Sequence, residues 1–215
     1  KFLYLTENKS YQLPTPPQMH NKGNYIISLS DFTKWLAQQA EELEVEIYPG
    51  FSASEVLYDE NNKVVGIATC DMGRLKDGSE GPNFERGIEL RAKQTVFSEG
   101  CRGHLGKTLM EKFELNSNNS PQTYGIGIKE LWEVTPENSK PGSIMHTTGW
   151  PLDNETYGGS FLYHLDDNKI SIGFVIGLDY KNPYLSPYLE FQRFKHHPAI
   201  KKLLEGGRRI NYGAR

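Results

Sequence analysis

The spacing of apolar residues predicts a helix near the start of the chain and a series of short strands in its second half. Apolar residues recur every three or four positions, with charged residues between them, at Phe32, Trp35, Leu36, Ala40 and Leu43. This spacing places them on one face of a helix. Ser30 precedes the run, and a serine side chain can accept hydrogen bonds from the free N–H groups of a first turn. We therefore predict a helix capped by Ser30.

The segment before this helix is predicted to be extended. Pro14, Pro16 and Pro17 remove backbone donors and disfavour helix in the residues before them. The opening residues 2–5 are apolar. They fit either a buried strand or an apolar strip on the surface, and periodicity does not separate the two.

Short strands bounded by turn residues are predicted after the helix. They are residues 45–48, 55–58, 63–68, 89–93 and 95–97. Pro49 and Gly50 end the first of them, and the polar residues 59–62 form the turn of a hairpin between the second and third. The last runs directly into Glu99 and Gly100.

The second half of the chain favours an antiparallel sheet, because its predicted strands follow one another at short spacing with turn residues between them. These strands are residues 122–129, 143–150, 160–164 and 170–177. Ser186 and Pro187 predict the start of a helix, which Pro198 interrupts and Gly206 and Gly207 end. Residues 208–213 are predicted to begin a strand that has no partner within the chain.

Composition limits the classes of protein that need to be considered. The chain has 215 residues, of which 37% are hydrophobic and 24% charged, as in an ordinary globular protein. The net charge is −3 and the basic residues are scattered, so no nucleic-acid partner is expected. No apolar run approaches the roughly 20 residues of a spanning helix. The absence of an initiator Met leads us to expect an internal piece of a longer protein.

Two short segments carry the candidate chemistry. Gly158 and Gly159 open an aromatic strand, where bare backbone amides can face a flat polar ligand, although a tight turn or bulge explains the pair as well. Glu99 and Gly100 follow a predicted strand, as in a dinucleotide site, where the acid can bond a ribose or ribityl hydroxyl. The alternative is an ordinary strand exit with a solvated acid.

Long strings of residues, in order along nearly the whole chain, closely resemble the electron transfer flavoprotein:ubiquinone oxidoreductase family. The strings are residues 16–26, 46–51, 83–87, 98–103, 122–127, 149–153, 156–165, 177–187 and 195–198. The resemblance implies an enzyme that passes electrons from reduced electron transfer flavoprotein, through FAD and a [4Fe–4S] cluster, to ubiquinone. The glycine fingerprint for the FAD pyrophosphate and the cluster cysteines are missing from this sequence, so the fragment alone is not expected to complete the reaction.

The resemblance implies an α+β fold with two parts. One is part of an FAD domain of the glutathione-reductase type, with a β-hairpin insertion, and the other is a quinone-binding domain with an antiparallel sheet and a packed helix. We expect residues 1–20 to be an extended segment of the quinone domain that faces the membrane. We assign residues 21–120 to the FAD domain, 121–206 to the quinone domain, and 207–215 to a return strand toward the FAD domain.

The same resemblance implies roles for individual residues. The residues expected to contact the quinone are Tyr157, Gly158, Gly159 and Phe161, with Tyr163 beside them. The alternative is that the aromatic residues belong to the core, as any single alternating aromatic residue more often does. For FAD, the expected residues are Ser52, Ala53, Glu99, Gly100 and Arg102. A plain hairpin start explains Ser52 and Ala53 equally well. No catalytic acid or base is identified.

Membrane attachment is the remaining expectation from the resemblance. The opening residues match a family segment that is thought to lie at the membrane face; they are Phe2, Leu3, Tyr4 and Leu5. This match fits a monotopic protein on the matrix side of the mitochondrial inner membrane, or on a bacterial cytoplasmic membrane. The competing interpretation is that these residues pack inside. The six histidines show no chelating spacing, so no metal site is predicted.

Two other functions remain open at this point. A related FAD-dependent reductase of isoprenoid lipids would share the flavin elements and an apolar pocket. A module that binds only a lipid or a partner protein would have no flavin in its full-length parent.

Overall fold

The structure is a computed structural model that describes all residues from 1 to 215. The chain forms two compact units, one made of Lys1–Leu36 and Gln122–Arg215 and the other of Ala37–Pro121. The strands are β1 (Phe2–Leu5), β2 (Ser10–Leu13), β3 (Ala53–Tyr58), β4 (Val64–Thr69), β5 (Met72–Arg74), β6 (Glu80–Glu85), β7 (Glu89–Arg91), β8 (Gly125–Glu133), β9 (Ile144–Gly149), β10 (Gly158–His164), β11 (Lys169–Gly177) and β12 (Arg208–Ala214). The α-helices are α1 (Leu29–Glu42), α2 (His104–Lys112), α3 (Pro187–His196) and α4 (Pro198–Leu204). The predicted α+β class is confirmed.

A seven-stranded sheet dominates the first unit, in the order β12-β8-β11-β10-β9-β1-β2. All neighbouring strands are antiparallel except β1 and β9, which are parallel. The antiparallel sheet predicted for the second half of the chain is therefore confirmed. The expectation that residues 208–213 lack a partner is wrong, because β12 pairs with β8 from Arg208–Glu133 to Ala214–Ile128.

One face of this sheet is the hydrophobic core, which we call the inner face. Alternate residues of β11 lie on it, and α3 covers it with Phe191 and Phe194. Phe174 packs between those two rings, with centroid distances of 6.3 and 5.4 Å. The buried apolar side chains of the cluster are Leu3, Leu5, Val134, Leu162, Ile170, Ile172, Phe174, Ile176, Phe191, Phe194, Ile200 and Leu204. Each contributes about 1.5–3 kcal/mol by leaving water.

Strand β1 decides between the two interpretations of residues 2–5. Leu3 and Leu5 are buried in the core, whereas Phe2 is half-buried and Tyr4 is 38% exposed. Side chains alternate between the two faces of a strand, so Phe2 and Tyr4 lie on the opposite face, which we call the outer face. The interior interpretation therefore holds for the two leucines, and only Phe2 and Tyr4 are left as surface residues of this segment.

The helices near the end of the chain follow their sequence signals. The Ser186 hydroxyl accepts a hydrogen bond from the Leu189 N–H at 3.5 Å, as expected of a capping residue. Pro198 ends α3 and opens α4, as predicted. The buried His197 joins the two: its Nδ1 accepts from the Ala199 N–H at 3.2 Å, and its Nε2 lies 3.0 Å from the Thr6 carbonyl oxygen.

Helix α1 begins two residues earlier than the sequence suggested. Ser30 lies inside it, and the hydroxyl of Ser28 accepts from the Asp31 N–H at 3.3 Å instead. The prediction of Ser30 as the cap is therefore wrong, although the helix itself is confirmed. With 14 residues it is the longest of the four, and none of them is long and apolar enough to cross a bilayer.

The second unit contains a three-stranded sheet in the order β3-β4-β7 and a separate hairpin of β5 and β6. The predicted hairpin of β3 and β4 is confirmed, and the Asp59 carboxylate accepts from the N–H groups of Asn61 and Lys63 in its turn. Residues 45–48 and 95–97 are not strands, because no neighbouring strand pairs with them. The sequence also gave no indication of α2 or of the β5–β6 hairpin.

Candidate functional site

Three aromatic rings lie together on the outer face of the seven-stranded sheet. Phe161 and Tyr163 alternate with the buried Leu162 on β10, so they point away from the core. Their ring centroids are 5.1 Å apart. His146 of β9 is paired with Phe161 across the two strands, and its ring meets Tyr163 nearly edge-on, at 5.7 Å and 75°. We call Phe161, Tyr163 and His146 the aromatic cluster.

A glycine of β11 allows the aromatic cluster to lie against the sheet. Gly173 is paired with Phe161, and a Cβ at position 173 would collide with the Phe161 ring. Phe161 therefore lies directly over the backbone of β11. Any side chain larger than that of glycine at position 173 would push the ring outward.

Gly158 and Gly159 each have a packing role. A Cβ on Gly158 would collide with the Val175 carbonyl oxygen and would lie 2.5 Å from Cδ1 of Leu152. A Cβ on Gly159 would lie 2.5 Å from the Thr147 carbonyl oxygen. Close strand packing thus explains why this pair is glycine. The pairing of β10 with β11 passes through both positions without a register shift, so they do not form a bulge there.

The strand register also determines where the two glycine amides point. The Gly177 N–H donates to the Tyr157 carbonyl at 2.8 Å, so the backbone groups of Tyr157 face β11. Because these groups alternate in direction, those of Gly159 also face β11 and those of Gly158 face β9. The pairing of β10 with β9 covers only Ser160 to Tyr163. The Gly158 amide therefore lies beyond the paired part of that ladder.

The predicted quinone residues are close in sequence but differ in their surroundings. Tyr157 precedes β10 and is 80% exposed, whereas Phe161 is half-buried in the aromatic cluster. Because side chains alternate along a strand, the outer side carries Tyr157, Gly159, Phe161 and Tyr163. Gly158 lies on the inner side against Leu152.

His146 is a member of the cluster that sequence reasoning missed. It is half-buried. Burial lowers its pKa from the ordinary value, although the backbone of Ser160 opposes this shift. Burial also raises the pKa of the Tyr163 hydroxyl. Only the register of β9 against β10 places His146 beside Phe161, and the sequence contains no signal for that register.

The predicted flavin residues lie within the second unit, and the structure connects two of them through His104. Nε2 of His104 is 2.7 Å from the Ala53 carbonyl oxygen, and its Nδ1 is 3.4 Å from the Glu99 carboxylate. The carbonyl of the neighbouring Ser52 accepts from the Cys70 N–H at 2.8 Å. His104 was not among the predicted site residues. The structure therefore brings the Ser52–Ala53 segment and Glu99 together.

The carboxylate of Glu99 is used by the start of α2. It accepts from the N–H groups of Leu105 and Gly106 at 3.3 and 2.7 Å, where a negative charge also complements the helix dipole. A Cβ on Gly103 would collide with this side chain. Gly100 has a φ of +80°, which favours glycine, and Arg102 is exposed in the same loop.

The chain offers few groups for a metal. Cys70 and Cys101 are both free thiols on the surface. No group of three or more His, Cys, Asp or Glu residues in the structure could hold a metal ion.

Comparison with known proteins identifies what the chain is similar to. A family model described as ETF-QO, ubiquinone-binding, matches residues 124–215. The mitochondrial electron transfer flavoprotein-ubiquinone oxidoreductase of Dictyostelium discoideum is 58% identical to the chain over 215 residues. Along its whole length the chain is therefore similar to electron transfer flavoprotein-ubiquinone oxidoreductases. The proteins of the same name from Sus scrofa and Arabidopsis thaliana are 56% and 54% identical over 219 and 217 residues.

All of this chain aligns with these members of the family, but it covers only about a third of each of them. The covered shares are 36% of the Dictyostelium and pig proteins and 34% of the Arabidopsis protein.

Solved structures of flavin enzymes share the fold. A geranylgeranyl bacteriochlorophyll reductase-like protein from Thermoplasma acidophilum matches 86% of this chain and 41% of its own, with a TM-score of 0.61 and 17% identity. The flavin-dependent brominase Bmp2 matches 86% of this chain and 42% of its own, with a TM-score of 0.55 and 17% identity. At this identity the likeness concerns the fold alone.

Proposed function

We propose that this chain is the ubiquinone-binding domain, with part of the FAD domain, of an oxidoreductase that passes electrons from reduced electron transfer flavoprotein to ubiquinone. The observation that carries the proposal is the identity of 54–58% to oxidoreductases of that name along the whole chain. We assign residues 21–120 to the FAD domain and residues 121–206 to the quinone domain. We assign residues 1–20 to the quinone domain. The return strand 207–215 was expected to lead toward the FAD domain, but it forms β12, which pairs with β8 in the sheet of the quinone domain.

The quinone site is proposed to lie at the start of β10, next to the aromatic cluster. Phe161 offers a flat apolar surface to a benzoquinone ring, and the exposed Tyr157 can cover the ring or its tail. The Gly158 amide, which lies beyond the β9 ladder, can donate to a quinone carbonyl. Gly159 allows the close strand contact that holds this amide in place.

FAD fits the second unit in part. FAD would contact two segments, the loop of Gly100 and Arg102 and the segment of Ser52 and Ala53. His104 holds the segment of Ser52 and Ala53 next to Glu99. The carboxylate of Glu99 already accepts two helix N–H groups, so we assign it to shaping this loop rather than to bonding a ribityl hydroxyl. When bound, FAD supplies electrons, and these residues bind and orient it.

The [4Fe–4S] cluster does not fit the residues present here. Such a cluster is held by four cysteine thiolates, and the chain has only Cys70 and Cys101. The cluster of the proposed oxidoreductase must therefore be held by cysteines outside these 215 residues. No step is assigned to it here.

Membrane contact is proposed for the outer side of the β1–β2 hairpin. Tyr4 and Tyr11 are paired across the two strands and are 38% and 50% exposed. Tyrosine suits the boundary between water and lipid, and a lipid-borne quinone must enter from a membrane. The location that fits is the matrix side of the mitochondrial inner membrane, or the cytoplasmic membrane in a bacterium.

The membrane proposal can be tested without disturbing the core. In the full-length protein, Tyr4→Asp with Tyr11→Asp is expected to release the protein from liposomes, measured by flotation. Leu5→Asp is unsuitable, because Leu5 is fully buried and its replacement would unfold the sheet. The exposed Tyr184 provides the matched control, Tyr184→Asp. Unchanged flotation of the double variant would exclude this surface.

The quinone site can be tested at Phe161 in the full-length protein. Phe161→Ala is expected to raise the dissociation constant of a soluble ubiquinone analogue by about tenfold or more, since it removes one face of the proposed site. Phe113→Ala, a partly exposed phenylalanine in the second unit, is the control. Flavin absorbance should be normal in both variants. If Phe161→Ala binds the analogue as tightly as the wild type, the site does not lie at the aromatic cluster.

A further inference from the structure

We propose that His146 is a catalytic residue that protonates one carbonyl oxygen of the bound quinone. This inference rests on the quinone site proposed above, and it adds the proton donor that the reaction requires. We assign one ring nitrogen to the neighbouring Ser160 backbone and the second nitrogen to the proton that is transferred.

The position of His146 is the first support. It is paired with Phe161 on the neighbouring strand, on the same outer face, and its ring meets Tyr163 at 5.7 Å. Gly159 lies two positions from Phe161 along β10, a distance of about 7 Å. A quinone ring placed between the start of β10 and the Phe161 ring would therefore bring a carbonyl oxygen within reach of the imidazole.

The absence of competing acids on the neighbouring strands is the second support. By alternation, the outer face of β1, β9, β10 and β11 carries no carboxylate. The titratable groups near His146 are the hydroxyls of Tyr4 and Tyr163. A tyrosine hydroxyl has a pKa of about 10 and a histidine one of about 6.5, so the histidine is the better proton donor near neutral pH.

Reduction of a quinone to a quinol takes two electrons and two protons. The electrons come from reduced electron transfer flavoprotein, the donor in the proposed function. One N–H bond of the His146 imidazolium breaks, one O–H bond forms on the quinone oxygen, and neutral imidazole remains. The other carbonyl oxygen takes its proton from water, and a further water-borne proton restores the imidazolium.

Burial tunes the histidine for this transfer. Because burial lowers the pKa of His146, its imidazolium is a stronger acid than one in water. A carbonyl oxygen that gains negative charge during reduction attracts the proton further. Quinone reduction should therefore slow as the pH rises through the pKa of His146, because the protonated form is then lost.

The test uses the full-length protein with His146→Gln, and with His196→Gln as the control, since His196 is exposed on α3. His146→Gln is expected to lower the rate of quinone reduction by about 100-fold and to remove its dependence on the histidine pKa. Electron flow from reduced electron transfer flavoprotein to ferricyanide, which takes up no proton, should be unchanged. The dissociation constant of the quinone analogue, measured with the oxidised protein, should also be unchanged.

A second variant separates proton transfer from a structural role. His146→Ala is expected to lose quinone reduction and to regain part of it when imidazole is added to the buffer. The proposal is overturned if His146→Gln keeps the wild-type rate and pH profile, if ferricyanide reduction falls in parallel, or if only quinone affinity changes. If the wild-type protein itself fails to bind or reduce the quinone, it is the proposed function that fails.

Discussion

A buried carboxylate is expected to control the stability of the first unit. Glu130 of β8 is only 2% exposed and accepts two hydrogen bonds from Nζ of Lys195, at 2.8 and 2.9 Å. It also accepts from the Trp132 indole at 2.7 Å and from Arg209 at 3.2 Å. The carboxylate thus ties β8 to α3 and β12. Burial raises the pKa of Glu130, but these donors outweigh burial and lower it overall.

The magnitude of the effect follows from the contact with Lys195. Two opposite charges at about 2.8 Å attract by about 6 kcal/mol at an effective dielectric constant of about 20, before desolvation is subtracted. Removal of one member of a buried pair costs about 3–5 kcal/mol, because the other charge is left buried. The lower end of this energy range applies to Glu130, because the site is not fully closed to water. Arg209 is partly exposed, and it lines a cavity of about 610 Å³ together with Glu130. We therefore expect Glu130→Gln to lower the free energy of unfolding by about 3 kcal/mol.

The assay is a double-mutant cycle on Glu130→Leu and Lys195→Met, read by urea unfolding. Each single change should destabilise strongly, and the double variant should recover most of the loss, because the one charge that then lacks its partner, Arg209, is partly exposed to water. The exposed pair of Glu155 and Lys181, at 3.2 Å, serves as the control and should show almost no coupling. A coupling between Glu130 and Lys195 as small as that of the control pair would refute the reasoning.

The same carboxylate predicts a dependence on pH. The pKa of Glu130 is lower in the folded protein than in the unfolded chain, so its contribution to stability is full above the unfolded value of about 4.3. The contribution is lost as the pH falls through the folded pKa. The difference in stability between the wild type and Glu130→Gln should therefore be largest near neutral pH and shrink in acid. A difference that stays constant in acid would contradict this assignment.

Two further changes test the two faces of the sheet. Gly173→Ala should displace the Phe161 ring and so raise the dissociation constant of a quinone analogue, measured by equilibrium titration. Flavin content should be unchanged. Normal affinity would show that Phe161 need not lie against the sheet. Thr147→Val should cost about 1–3 kcal/mol in urea unfolding, because it leaves the buried Ser160 hydroxyl, 2.6 Å away, without its partner. Adding Ser160→Ala should restore part of that loss, and no recovery would mean that the hydroxyl pair is not the cause.

The features that the sequence predicted well depend on local signals. The β3–β4 hairpin follows from the Asp59 turn, and the break between α3 and α4 follows from Pro198, which cannot continue a helix. The antiparallel sheet follows from short strands with short connections. Residues 45–48 had the composition of a strand but no strand to pair with, and composition does not reveal a missing partner.

The candidate sites depend on contacts that no local signal encodes. His104 reaches Ala53 across 51 positions of the sequence, and β12 pairs with a strand about 75 positions away. The membership of His146 in the aromatic cluster depends on one register, and a slip of one residue would move it to the core face. Sequence reasoning therefore identified the aromatic strand and the glycines, but not the histidine beside them.

The glycines and the aromatic cluster are parts of one arrangement. Gly158 and Gly159 let β10 approach Val175 and Thr147 closely, and Gly173 lets Phe161 lie against β11. A side chain at any of these positions would move either a strand or a ring. The shape of the proposed quinone surface is therefore set by the packing of the sheet backbone rather than by a loop. Such a surface keeps its form without a ligand, which favours quinone binding because little ordering entropy is lost.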